Sequence, residues 1–277
     1  MMRGMRVASW NVNSLLARLP RVLAWIRQQA PDILLLQETK CTDEAFPAAA
    51  FAELGYAAAH HGEGRWNGVA ILSAQGLAEV STGLQVPAPS GGLEARYLAA
   101  DCSGIKVSSV YVPNGREIGH PYFDYKLLWL EALRQRVLAD QAAGHQMLLV
   151  GGDFNVAPTD GDVYDPHAFV GATHVSPPER DALKSVLATG LRDLAACGPA
   201  DPEFTFWDYR QGFFRRRLGM RIDLLLASPL LADKLTRLWV DREERGGERP
   251  SDHAPLVADF GDQRTGIEIP PVSANGT

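Results

Sequence analysis

Short unbroken apolar runs that stop at polar residues constrain this chain more than any other feature. The clearest is Gln146-Met147-Leu148-Leu149-Val150, followed by Gly151-Gly152-Asp153-Phe154-Asn155. Such a run, closed by a Gly-Gly pair, reads as a buried strand that stops abruptly. Strand side chains alternate with period two, so Asp153 and Asn155 are expected on the same side of the strand's tip. A carboxylate and a carboxamide projecting together from a rigid tip suit metal-assisted attack on a phosphate ester. The Asp orients and deprotonates water, and the Asn donates to a developing oxyanion.

The same pattern recurs along the chain. Residues 6–10 read as a strand, and Leu15, Leu16, Leu19, Val22, Leu23 and Ile26 then fall at helical spacing on one apolar face. Pro31-Asp32 restarts the chain into the strand-like run 33–37, with Glu38 at its tip. Further strands are expected at 68–72, 95–101, 106–111, 221–226 and 255–260. A helix is expected from about Tyr122 to Ala143, with Phe123, Leu127, Leu130, Leu133 and Val137 in helical period. Hairpin-like pairs between 55 and 112 and helix-linked strands elsewhere favour an α/β sandwich of four layers, two packed mixed sheets flanked by helices, over a doubly wound parallel sheet. Residues 87–92 read as a surface loop. One domain is expected over residues 1–261, and residues 262–277 read as a disordered tail.

The bulk properties narrow the setting. No apolar stretch approaches the ~18 residues of a membrane span. Met1-Met2-Arg3-Gly4-Met5 runs directly into a strand-like segment, leaving no room for a signal peptide. Cys41, Cys102 and Cys197 are far apart and lack C-x-x-C spacing, so they read as reduced structural thiols of a cytoplasmic protein. A net charge of −6 argues at first against a nucleic-acid partner. Its distribution argues otherwise: Arg210, Arg215, Arg216, Arg217 and Arg221 are interleaved with Tyr209, Phe213, Phe214 and Met220, while several acids sit where a metal would neutralise them.

Polar residues at the ends of the apolar runs form the candidate site. Asn11 and Asn13 follow the first strand and Glu38 the second. Tyr111 and Asn114 flank Val112-Pro113, Asp153 and Asn155 follow 148–150, and Asp223 lies inside an apolar run. Ser251-Asp252-His253 precedes the last strand. Gathered at one end of the sheets, they would form an oxygen-rich cluster suited to Mg²⁺ or Mn²⁺ rather than to structural zinc. Each residue also has a plainer reading. Asn11 could form a turn, Glu38 could be a solvated strand end, Tyr111 a core aromatic, and Ser251-Asp252-His253 a surface turn. Asp223 could form a buried salt bridge with Arg221. The adjacent His60 and His61 would point to opposite faces of a strand, so both read as structural.

Seven runs in order strengthen the cluster reading: Trp10-Asn11-Val12-Asn13, Gln37-Glu38-Thr39-Lys40, Trp66-Asn67-Gly68-Val69-Ala70-Ile71, Tyr111-Val112-Pro113-Asn114-Gly115, Gly152-Asp153-Phe154-Asn155-Val156-Ala157-Pro158, Arg221-Ile222-Asp223-Leu224-Leu225-Leu226-Ala227-Ser228 and Ser251-Asp252-His253-Ala254-Pro255. Together they resemble the exonuclease III family of apurinic/apyrimidinic endonucleases, within the endonuclease/exonuclease/phosphatase superfamily, over roughly residues 6 to 260.

The resemblance implies a deoxyribonuclease I-like four-layered sandwich with its site at one end of the two sheets. It implies Asn11, Glu38, Asp153, Asn155, Asp252 and His253 around a divalent metal, with Glu38 the principal ligand. Asp153 would activate water, Asn155 would stabilise the pentavalent transition state, and His253, oriented by Asp223, would contact the scissile phosphate. Tyr111 and Asn114 would complete the phosphate pocket. DNA contacts are implied for Arg116, Phe206, Arg210, Arg215, Arg216, Arg217, Met220 and Ile222, of which Phe206, Met220 and Ile222 would wall the pocket for an extruded sugar. The family pattern often carries Tyr where this chain has Trp66, which alters a DNA-facing loop.

The implied activity is hydrolysis 5′ to abasic sites in duplex DNA, with 3′-5′ exonuclease or 3′-phosphodiesterase side activities. The implied protein is a cytoplasmic monomer, associated with the nucleoid through DNA and independent of membranes. The competing reading is a phosphatase or phosphodiesterase of the same superfamily acting on a small molecule or lipid head group. A non-catalytic DNA-binding relative is disfavoured by the full set Glu38, Asp153, Asn155, Asp223, Asp252 and His253.

Overall fold

In the computed structural model, which describes residues 4–197 and 204–261, the apolar runs pair into two six-stranded sheets. The first sheet places β11 (Leu235–Val240), β12 (Leu256–Phe260), β1 (Met5–Asn11), β2 (Ile33–Gln37), β4 (Val69–Ser73) and β3 (Ala57–His61) side by side in that order. The second runs β5 (Ala78–Thr82), β6 (Tyr97–Cys102), β7 (Ile105–Tyr111), β8 (Leu148–Asp153), β10 (Asp223–Ala227) and β9 (Arg192–Asp193). Both sheets are mixed, since β1 pairs parallel to β2 and β7 parallel to β8 among otherwise antiparallel neighbours.

The sheets pack face to face, with helices on both outer faces. In β2, Ile33 and Leu35 enter the core between the sheets. Leu34 and Leu36 pack outward against α1 (Leu15–Gln29) and α2 (Ala48–Ala52). Likewise Leu225 of β10 points between the sheets, whereas Leu224 and Leu226 meet α3 (Pro121–Ala142) and α4 (Pro177–Leu187). A strand with both faces covered has no polar side to show, which is why these runs are continuous rather than alternating. Two short helices, α5 (Phe213–Arg216) and α6 (Pro229–Ala232), complete the described chain. No described helix is long and apolar enough to cross a membrane.

The expected strands and the long helix are present, displaced by one or two residues at their ends. The α1 face differs in detail: Leu16 is 49% exposed, and Trp25 is buried beside Leu15, Val22 and Ile26. Sequence reading missed four edge or short strands, β3, β5, β9 and β11. The sequence of β3 is Ala-Ala-Ala-His-His, and β5 is mostly exposed, so neither carries a hydrophobic strand pattern. The tail 262–277 lies outside the described residues.

The Gly151-Gly152 pair does not end its strand, because β8 continues through it to Asp153. A Cβ on Gly151 would lie 2.6 Å from Leu225 Cδ2 and 2.7 Å from Leu35 Cδ1, so the glycine lets the two sheets approach. Gly152 has φ +153°, and a Cβ there would sit 1.9 Å from the Val110 carbonyl oxygen. Both glycines are demanded by packing one step before the residue that matters chemically.

Candidate active site

Toward one end of the sandwich the space between the sheets turns from apolar to polar, along the same strand faces that build the core. On β1 the inward positions run Val7, Ser9, Asn11, and on β2 they run Ile33, Leu35, Gln37. Ser9 Oγ donates to Gln37 Oε1 at 3.3 Å, and Gln37 Nε2 donates to Ser109 Oγ at 3.1 Å, linking the sheets. One step further out lie Asn11, Tyr111, Asp153 and Asp223. Strand register places Tyr111 and Asp223 directly beside Asp153 on its two neighbours. Period two on facing sheets therefore aims these side chains into one cleft.

Asp153, Glu38 and His253 form the centre, each offering a ligand atom within 4.8 Å of the others. Glu38 follows β2 in a left-handed conformation, φ +52°, which departs from the strand's alternation and turns the residue to the cluster. Asn11 Nδ2 donates to Glu38 Oε1 at 2.8 Å and to Asp153 Oδ2 at 3.0 Å, holding the two carboxylates together. Lys40 pairs with Glu38 Oε2 at 2.7 Å, and Tyr111 hydrogen-bonds to Glu38. Asp223 Oδ2 lies 2.7 Å from His253 Nδ1, while His253 Nε2 lies 3.7 Å from Asp153 Oδ2.

The charges divide into donors and acceptors. Burial would depress His253, but Asp223 and Asp153 raise it to about 10, so the ring is an imidazolium at neutral pH. Burial pushes Asp153 up to about 7, with Asp223 and Glu38 adding to the rise against His253. Glu38 would also be raised by burial, yet Lys40, the Asn11 amide and His253 bring it below the usual carboxylate value. Burial and Glu38 hold the Tyr111 phenol well above its ordinary value, keeping it a donor. Anions compressed in this way fit a hard divalent cation, which would relieve the strain between Glu38 and Asp153. His253 belongs to the cluster by distance, but an imidazolium has no lone pair for a metal. A charged ring there suits a hydrogen-bond donor to phosphate.

One expectation from the sequence needs correction, and other candidate residues take specific partners. Asn155 is not on the β8 face, because the strand ends at Asp153 and Asn155 has φ +50°. It reaches the site through a turn in which its N–H donates to Asp153 Oδ1 at 2.9 Å. Its side chain donates to the Val112 carbonyl at 2.9 Å and turns Oδ1 toward Asn114. Asn11 presents nitrogen to the carboxylates of Glu38 and Asp153, and its Oδ1 accepts from the Asn13 N–H at 3.0 Å. Asp252 stands outside the metal-sized group and accepts from Asn13 Nδ2 at 3.1 Å. Asp223 does not pair with Arg221, which instead reaches Asp162 at 2.5 Å and Asp193 at 2.8 Å.

Phe206, Met220 and Ile222 lie together beside His253. Phe206 packs its ring 4.9 Å from that of His253, and Met220 and Ile222 are buried in one small cluster with Ala157 and Val163. Phe206 and Met220 also form a bridge from which the arginine loop departs. That loop is rooted by Phe213 against Tyr164 and by Phe214 against Trp207. Arg215, Arg216 and Arg217 are exposed and have no ion-pair partner among the described residues. Arg210 is tied to Asp208 at 2.6 Å, and Arg116 stacks 4.2 Å over the Tyr122 ring. Beside the site runs a groove of about 610 Å³ lined by Trp66, Asn67, Arg96, Asn114, Arg116 and Tyr122.

His174, Lys126 and Glu179 were not singled out from the sequence. His174 Nε2 sits 3.2 Å from both Asn155 Oδ1 and Asn114 Nδ2, and burial with Lys126 nearby drives the ring down to about 3, leaving it neutral. Lys126 lies on α3 and is fully buried against Glu179. Only the charge of Lys126 inside an otherwise apolar helical face could have signalled it.

The Endonuclease/Exonuclease/phosphatase family matches residues 8–253. The exodeoxyribonuclease III of Haemophilus influenzae is 31% identical, with 92% of this chain and 100% of that protein covered. A 3′-5′ exonuclease from Neisseria meningitidis superposes with TM-score 0.87 at 42% identity, over 93% of this chain and 100% of that one. A 3′ phosphatase from Neisseria, bound to a product DNA hairpin, gives 0.88 at 41%, with 93% and 100% covered. An AP endonuclease from Archaeoglobus fulgidus gives 0.86 at 37%, over 92% and 99%.

Proposed function

Because this chain belongs to the Endonuclease/Exonuclease/phosphatase family, we propose that its cluster hydrolyses phosphodiesters of DNA at abasic sites and at blocked 3′ ends. The chain is a DNA-repair nuclease of the exonuclease III type, with AP endonuclease and 3′-5′ exonuclease or phosphatase chemistry. The observation that carries the reading is the buried Asp223–His253–Asp153 sequence of contacts beside Glu38. A charged donor, a proton acceptor and a metal-competent carboxylate so close together support that chemistry.

Each side chain then has a task. Asp153, steadied by Asn11 and by the Asn155 N–H, takes the proton of the attacking water, and its raised pKa suits that exchange near neutrality. His253, kept protonated by Asp223, donates to a phosphoryl oxygen, and Tyr111 and the Asn114 and Asn155 carboxamides complete the donor set. Glu38, with Asp153 beside it, would hold Mg²⁺ or Mn²⁺, which supplies Lewis acidity to the phosphoryl and leaving oxygens. Cleavage 5′ to the lesion leaves a 3′-hydroxyl and a 5′-deoxyribose phosphate. Arg116 and Arg215–Arg217 neutralise backbone phosphates, and Phe206, Met220 and Ile222 receive the extruded sugar. Action as a monomer, in the cytoplasm with DNA, belongs to the same reading.

A duplex carrying a tetrahydrofuran abasic analogue, and a nicked duplex with a 3′-phosphate, test the reading in Mg²⁺ and in Mn²⁺. Incision 5′ to the analogue and release of the 3′-phosphate are expected. Turnover of a soluble phosphomonoester with neither DNA reaction would refute it. The 3′-end reaction is expected to be the stronger, because the Neisseria relatives described by 3′-end chemistry are the more similar, at 41–42% identity against 37% for the archaeal AP endonuclease.

A further inference from the structure

We propose that Lys126 is a positioning residue for this reaction: from behind the site its ammonium holds the main-chain carbonyls of Asn114 and Asn155, and so sets the aim of both carboxamides. Lys126 Nζ donates to the Asn155 carbonyl at 2.7 Å, to the Asn114 carbonyl at 3.2 Å, and to Glu179 Oε1. An ammonium has three N–H donors, and these acceptors use all of them. Glu179 is satisfied in turn: Oε1 accepts from Thr173 Oγ1 at 2.6 Å and the His174 N–H at 2.9 Å, and Oε2 from Ser176 Oγ at 2.5 Å. Thr173 Oγ1 also lies 3.1 Å from the Asn114 carbonyl.

Both members of the ion pair are 0% exposed. Stability alone does not call for such a pair, because well-packed apolar side chains in its place often do as well or better. What the pair contributes is a fixed junction. The loops after β7 and β8 and the segment leading into α4 have no ladder to align them, and Asn155 and Gly115 both have positive φ. A Cβ on Gly115 would lie 3.1 Å from both Lys126 Cδ and Thr173 Oγ1, so the first loop is packed directly on the lysine. Each carbonyl that Lys126 grips belongs to a residue whose carboxamide joins the Asn114–Asn155–His174 hydrogen-bonded set. A shift at that anchor therefore passes to the donor through one residue.

The inference rests on the hydrolase reading of the site, and wild-type incision in the same assay separates the two. A wild type without DNA turnover refutes that reading, whereas a full-speed variant refutes only this one. Lys126→Met is expected to lower kcat about 10²-fold, the scale for displaced catalytic groups, with KM for the DNA within about threefold. Lys126→Arg, which keeps three or more donors, should restore kcat to within about tenfold. The double variant Lys126→Met/Glu179→Leu leaves no unpaired buried charge and should melt above the single Lys126→Met variant while kcat stays low. A wild-type kcat in either folded variant, or a loss confined to the single variant and matched by its fall in Tm, would overturn the positioning role. If neither methionine variant folds, Lys126→Arg decides: the side-chain amide signals of Asn114 and Asn155 in its ¹H–¹⁵N spectrum should move, and unmoved signals overturn the proposal.

Discussion

Replacing Asp223 with Asn should uncouple His253 from its charge. Asp223 Oδ2 is 2.7 Å from His253 Nδ1, and both side chains are almost wholly buried. Burial alone favours neutral imidazole, so the rise from 6.5 to about 10 measures how strongly the neighbouring carboxylates oppose it. At ~1.4 kcal/mol per unit this corresponds to roughly 5 kcal/mol in favour of imidazolium. Asp223 leads Asp153 among the groups that raise His253, so its loss should remove the largest single support for the charge and lower the pKa. The imidazole ¹³Cε1–¹H signal, followed by NMR from pH 5 to 11 in EDTA, reads this directly. The wild type should remain protonated until about pH 10, whereas Asp223→Asn should titrate at clearly lower pH. The sign also fixes stability. A raised pKa means that the pair's contribution is complete below about pH 6.5 and is lost as pH climbs through about 10. The stability difference between wild type and variant should therefore shrink over that window in urea melts. A His253 midpoint unchanged in Asp223→Asn would refute the argument, since the charge would then come from elsewhere.

Asp153→Asn should abolish incision of the abasic-analogue duplex while preserving DNA binding by fluorescence anisotropy. Near-normal turnover would remove Asp153 as the proton acceptor. Changing Arg215, Arg216 and Arg217 together to Ala should weaken DNA binding and reduce the slope of log K against log salt by up to ~3. An unchanged slope would mean that the loop faces away from the duplex. Gly152→Ala places a Cβ 1.9 Å from the Val110 carbonyl oxygen in the β7–β8 ladder, one residue before Asp153. It should cost at least ~3 kcal/mol by urea unfolding or prevent folding, and a midpoint within error of wild type would contradict the packing account.

The strands that carry the site were legible because they are buried on both faces. Ile33–Gln37 and Asp223–Ala227 had to be continuous apolar runs, and the polar residues that interrupt or end them stood out for that reason. The edge strands β3 and β5 were not legible, since a half-solvated edge needs no apolar code. Lys126 read as an ordinary charge on a long helix, because nothing in its local pattern reveals that Glu179, over fifty residues later, lies against it.

Residue types and their order along the chain were enough to single out Asp153, Glu38, Asp223 and His253 as candidates, and the four do meet at one end of the sheets. The partner that each side chain takes came from packing. It turned the Asn11 nitrogen rather than its oxygen toward the carboxylates, moved Asn155 off the strand face, and paired Arg221 with Asp162 and Asp193, leaving Asp223 to His253. The reason is physical: a hydrogen bond or an ion pair depends on distance and direction between groups far apart in sequence. Period two and apolar length constrain only what lies within a few residues.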